Sequence, residues 1–242
     1  MPIDGVILLL AFLFAVGAAI QGAVGFGFPY LLAPLAVFVL PDLIPGPILL
    51  LTLFINSEIA IRERGQVVLR EVGWLTFGRI GGAVAAAAAF GALDREFFKL
   101  VIGGVLLCAV ALTAIAKIAA IRRTPASMTV SGFAAGVMGT LTGVGAPAMA
   151  LLYQGEEPSR IRGVMSVSLL LGVVISIASL WYFGHFGARD FELAGWFLAP
   201  TLLGILGGRW LSRRIDRSRA RVAILVITTI SATGLIVDAL VR

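Results

Sequence analysis

Two glycine motifs carry the chemistry most directly available to this chain. Gly25-Phe26-Gly27-Phe28-Pro29 in the first half recurs as Gly143-Val144-Gly145-Ala146-Pro147 in the second, each time within hydrophobic sequence. Glycines at that spacing break a helix, and the proline restarts one, because its missing N–H falls where a first turn has no use for it. A restarted helix presents unpaired backbone donors and roughly half a positive charge at its N-terminus, which suits an anion. Gln21 and Thr142 stand beside the two breaks as further hydrogen-bonding groups. A lone Gly-x-Gly in an apolar helix reads more readily as a kink or a packing contact. Its recurrence favours a site built from Gly25, Phe26, Gly27 and Phe28 together with Gly143, Val144, Gly145 and Ala146.

Arg79 is the one cation placed well inside an apolar segment, flanked by Leu75, Phe77 and Ile80 and about 10 Å along its helix. A guanidinium there is costly unless paired, and no carboxylate lies within a helical turn of it. Its partner is then a remote backbone carbonyl, a carboxylate on another helix or a bound anion held bidentately; the alternative is a side chain that snorkels to the headgroups. Asn56 and Ser57 are candidates for lining a polar path. Glu58 faces Arg62 at i+4, which reads as an interfacial ion pair, with proton coupling as the alternative. His185, after Trp181 and Tyr182, belongs to an aromatic interfacial belt. Cys108, the single cysteine, is expected to serve packing. With one His, one Cys and no hydrolase or zinc-binding signature, neither an enzyme nor a metal or cofactor is expected.

These residues need an apolar frame. Hydrophobic residues make up 60% of the chain and charged ones 13%, and the mean hydropathy is +1.04, more than a soluble core of this size accommodates. Apolar runs fall at 5–20, 26–40, 44–61, 72–92 and 97–116, then at 128–142, 146–153, 164–184, 193–211 and 222–241. The expected fold is an all-α polytopic membrane protein with two repeats of five segments, residues 1–120 and 125–242, each opened by a glycine-broken helical hairpin. Gly73-Trp74 recurring as Gly195-Trp196, and Asp94-Arg95 as Asp216-Arg217, keep the halves in register. The start, Met1-Pro2-Ile3-Asp4, has no basic stretch, so the first segment reads as retained.

Arg62, Arg64 and Arg70, then Lys117, Arg122 and Arg123, then Arg160 and Arg162, and finally Arg209, Arg213, Arg214, Arg217, Arg219 and Arg221 place 14 of the 19 Lys and Arg in loops that parity puts on one, cytoplasmic, side. Equivalent loops of the two halves carry opposite charge bias, which an odd number of segments per repeat also requires. Both lead to an inverted-topology repeat with both termini outside, in a bacterial-type plasma membrane. The net charge of +6 belongs to these loops and does not point to nucleic acid.

Over 22–34, where Gly22-Ala23-Val24-Gly25-Phe26-Gly27-Phe28 leads to Pro34, and again over 139–147, the sequence resembles the sulfite exporter TauE/SafE family of membrane permeases, and the likeness spans nearly the whole chain. The resemblance implies transport of small sulfur-containing or carboxylate anions such as sulfite, sulfoacetate and other organosulfonates. Phe28 and Ala146 stand where further glycines are common in that family, which is expected to narrow the space over the hairpins. The expected partners are a small anion, the lipid bilayer, protons or sodium as a coupling ion, and a second copy of the chain in a homodimer. The expected activity is a secondary transporter, as an exporter, alternating access around an anion held between the two hairpin N-termini. An anion channel, a permease for small carboxylates and a non-transporting scaffold are the alternatives.

Overall fold

Without water to serve the backbone, a chain this apolar satisfies its N–H and C=O groups within each segment, which means helices. The computed structural model describes residues 5–62, 67–115, 121–153, 156–211, 214 and 216–241, and the regular structure among them is all helical. The chain runs α1 (Gly5–Val24), α2 (Phe28–Val39), a 3-10 turn (Pro41–Leu43), α3 (Gly46–Arg62), α4 (Leu69–Phe90) and α5 (Arg95–Ile115). The second half runs α6 (Pro125–Thr142), α7 (Ala146–Ala150), α8 (Pro158–Tyr182), α9 (Ala188–Leu211) and α10 (Arg217–Val241). Seven of these helices are long and apolar enough to cross a membrane. Expectations resting on Arg64, Lys117, Arg213, the terminal residues and the side chains of Arg162, Arg209 and Arg217 lie outside the described residues.

The second member of each hairpin is short. α2 has 12 residues, with Pro34 inside it. α7 has only five; the apolar run at 146–153 continues as a turn, Leu152 and Tyr153 donating to the carbonyls of Met149 and Ala150.

The tightest packing crosses between the halves. α4 lies along α6, and α1 along α9. Both seams are made of glycines one turn apart: Gly78 and Gly82 of α4 and Gly132 and Gly136 of α6 press on the facing backbone, as do Gly204 and Gly208 of α9 on Ala15 and Ala19 of α1. Small residues at four-residue spacing let two backbones approach within van der Waals range, the main attraction left to helices in an apolar solvent.

Two further pairs join corresponding helices of the halves, and both are antiparallel. Lys99 near the start of α5 meets Asp238 near the end of α10 at 2.7 Å, while Arg221 near the start of α10 donates to the Thr113 carbonyl near the end of α5. Likewise the start of α3 at Gly46 abuts Phe186, just past α8, and the end of α3 at Ile59 shares a cavity wall with Ile161 at the start of α8. α3 is the most enclosed of the seven long helices, 72% of its apolar window being buried, against 22% for α10. Polar residues on α3 therefore face protein.

Cys108 departs from expectation: it is exposed on α5, facing outward with the apolar surface rather than packing inside. Cysteine behaves as a small hydrophobe, so an apolar helix carries it as readily on its outer face as on its inner one. Trp181 and Tyr182 are 70% and 81% exposed, as a belt residue should be.

Candidate functional site

The two hairpins break where only glycine permits. Gly25 and Gly27 have φ of 97° and 135°, and Gly143 has φ of 76°, values that cost any residue with a Cβ about 1–2 kcal/mol. Gly145 has an ordinary φ; there the requirement is space, because a Cβ would lie 3.0 Å from the Ala135 carbonyl oxygen and 3.1 Å from the Arg79 guanidinium.

Each break is closed by a polar side chain. In the first, the Gln21 Oε1 accepts the Phe28 N–H at 3.0 Å, and the Gln21 Nε2 donates to the Asn56 Oδ1 at 3.2 Å, both groups being buried. Fixing the Asn56 oxygen in this way leaves its NH2 as a donor for the cavity that Asn56 lines. The N–H expected to greet an anion at Phe28 is thus already taken. In the second break, the Thr142 hydroxyl accepts the Val144 N–H at 3.2 Å and donates to the Met138 carbonyl. The offset carrying Gly25 onto Gly143 carries Gln21 onto Gly139, and beside Gly139 lies the Arg79 guanidinium instead.

Arg79 is 2% exposed. Its guanidinium is cradled by Gly139, Gly145 and Gly172, and its Nε and Nη1 have no hydrogen-bond partner. No carboxylate among the described residues pairs with it. Snorkelling to the headgroups is therefore excluded: the charge sits inside, against the second hairpin. An unpaired interior charge costs several kcal/mol, so the structure holds an unmet demand for negative charge at this point.

The breaks face each other across a narrow cleft lined by Gln21, Gly25, Phe26, Gly27 and Asn56 on one side and Gly143, Val144, Gly145 and Ala146 on the other. The cleft shares Tyr30 with an adjoining cavity of about 240 Å³ that adds Thr113, Ser166 and Arg221, with an apolar wall that includes Ile59, Ile161 and Met165. The ends of α3 and α5 and the starts of α8 and α10 frame this cavity, so it lies toward the end of the bundle that carries Arg62, Arg160 and Arg219.

At that same end Glu71 binds Arg160 at 2.9 Å and takes a hydrogen bond from the Tyr153 hydroxyl at 3.0 Å, while Glu156 pairs with Arg123 and Arg160. This cluster ties the second hairpin to the start of α4.

Of the remaining sequence candidates, Phe28 does not narrow the cleft: it is buried edge-on against Phe14 at 5.5 Å between ring centres, on the side facing α1. Ser57 is half-buried and lines neither space. Glu58 pairs with Arg62 at 3.7 Å. Tyr30, Thr113 and Arg221 were not legible as site residues; the Tyr30 hydroxyl meets the Thr113 hydroxyl at 2.9 Å, a contact between residues far apart in the chain. Removing the Gln21 cap by Gln21→Ala is expected to destabilise the protein by about 1–3 kcal/mol, since the Phe28 N–H is left unpaired; thermal unfolding in detergent checks this, and an unchanged midpoint refutes it.

No curated protein and no solved structure matches the chain. A family model described as sulfite exporter TauE/SafE matches residues 9–235, and with its membrane-length helices and paired glycine hairpins this chain belongs to that family of membrane transporters.

Proposed function

We propose that this protein is a secondary transporter that exports small sulfur-containing anions, sulfite or an organosulfonate, by alternating access. The anion binds between the two hairpins, with the backbone of Gly25, Gly27, Gly143 and Gly145 allowing close approach and Arg79 supplying positive charge from behind Gly145. The observation that carries this reading is the buried guanidinium without a counter-charge, placed against a glycine that lines the cleft. The two hairpins contribute unequally. α2 is long enough to bring a helix dipole to its break, whereas five-residue α7 aligns few peptides, so charge in the second half falls to Arg79.

The antiparallel pairing of α3 with α8 and of α5 with α10 supports an inverted repeat, and the basic residues at one end of the bundle support a cytoplasmic assignment for that end and both termini outside. With that sidedness the 240 Å³ cavity faces inward. Export of an anion is favoured by about 2.3 kcal/mol per charge per 100 mV in a cell negative inside, so it runs without a coupling ion; uptake would require protons or sodium, for which Glu58 is the candidate.

Flux into proteoliposomes tests the reading, with sulfite, sulfoacetate, taurine, sulfate and acetate each measured with and without an imposed potential or proton gradient. Saturable flux of sulfite or a sulfonate, responding to potential, is expected. Non-saturating flux at far higher turnover would make the protein a channel, and no flux of any member would remove the reading.

A further inference from the structure

We propose that Arg221 is the residue that captures the anion in the cavity beside the hairpins, and that its counterpart in the first repeat, Lys99, is prevented from doing so by Asp238. This rests on the reading of that cavity as an anion path.

The offset that carries Asp94-Arg95 onto Asp216-Arg217 carries Lys99 onto Arg221. The two cations stand at opposite ends of the same antiparallel pair, α5 with α10, yet they are treated differently. Lys99 is buried, with Asp238 at 2.7 Å and Glu96 at 2.9 Å. Its charge is spent on joining two helices. Arg221 has no carboxylate partner among the described residues. Its Nη2 donates to the Thr113 carbonyl at 2.5 Å, and its guanidinium carbon lies 6.0 Å from the centre of the Phe26 ring, the aromatic residue of the first glycine motif. The same register carries Asp238 back onto Ala116, an uncharged residue, in the sequence of the first repeat.

One edge of the Arg221 fork is thus fixed to the end of α5, the plane is steadied by Phe26, and the remaining donors belong to a cavity in which Arg221 is the one charged lining residue among the described residues. Asn56, Tyr30 and Ser166 are its neutral polar neighbours there. A guanidinium held by a neutral carbonyl and an aromatic ring keeps its full charge for a ligand, whereas one held by a carboxylate does not. The contact with Phe26 also places the captured anion directly beside the first hairpin break.

Equilibrium binding of radiolabelled sulfite, sulfoacetate and acetate to the purified full-length protein tests this. Arg221→Gln is expected to weaken binding of the anion that the wild type binds by about tenfold or more, the loss of one charge-assisted contact. Arg221→Lys keeps the charge without the planar fork and is expected to bind several-fold more weakly; it decides the matter if the glutamine variant does not fold. The charge-neutral double variant Lys99→Gln/Asp238→Asn is expected to lower the unfolding temperature and leave affinity within twofold of wild type. Wild-type affinity in both Arg221 variants overturns the assignment while leaving anion transport intact. Equal loss in the double variant also overturns it, because the effect would then follow α5–α10 packing and not the cavity. A wild type that binds none of the three anions removes the transport reading and this inference together.

Discussion

Gly172→Ala is expected to abolish anion flux and lower stability by about 1–3 kcal/mol, the usual effect of overpacking, whereas Gly172→Ala combined with Arg79→Ala should recover the stability and not the flux. A Cβ at position 172 of α8 overlaps the Cζ and Nε of Arg79. The guanidinium is enclosed by Gly139 and Gly145 as well, so it has to leave the second hairpin to make room. Removing Arg79 frees the space and deletes the charge. Thermal unfolding and proteoliposome flux of the two single variants and the double variant form a cycle, and residues in contact of this kind typically couple by about 0.5–3 kcal/mol. Additive stabilities would show that Gly172 and Arg79 do not share this space, and wild-type flux in Gly172→Ala that the place of the guanidinium is not needed for transport.

Gly82→Ala and Gly132→Ala should be among the most damaging substitutions to the fold itself. Their added methyl groups overlap backbone, the carbonyl of Phe133 in one case and of Leu75 in the other. Unlike a side chain, a facing helix backbone has no second rotamer, so α4 and α6 must separate along their length. A loss of about 3 kcal/mol, the upper end for overpacking, is expected for each, seen as a fall in monodisperse protein on size-exclusion chromatography. Gly73→Ala and Gly195→Ala are the matched controls. Both positions have open space around them, and in a helix interior alanine is favoured over glycine by up to about 1 kcal/mol. If the control variants fall as far as the seam variants, close backbone approach is not what the seam glycines provide.

Much of this was readable in the chain because it is local or repeated. The hairpin breaks announce themselves as Gly-x-Gly-x-Pro, and the five-helix order follows from run lengths alone. Arg79 was conspicuous as a charge in an apolar run, but its direction depends on α4 lying against α6, a pairing between distant segments that periodicity does not encode. Phe28 and Cys108 were misplaced for a related reason: Phe28 packs on Phe14 of α1 and Cys108 lies on the outer face of α5, and neither placement is encoded along its own helix. Arg221 was hidden by company. It sits in a basic run that topology explains, and what separates it from Arg214 and Arg219 is its place in the cavity wall against Thr113 and Phe26, which the packing of α10 on α5 creates.

The exchange of partners across the two glycine seams also bears on how the protein is made. α1 emerges from the ribosome long before α9, and α4 before α6, so neither seam of the first half closes until the second half has been inserted. The half-finished chain must wait in the lipid with the Gly78 and Gly82 face of α4 and the Ala15 and Ala19 face of α1 uncovered. A chain cut between α5 and α6 is therefore expected to mature only where both pieces are present in the same membrane.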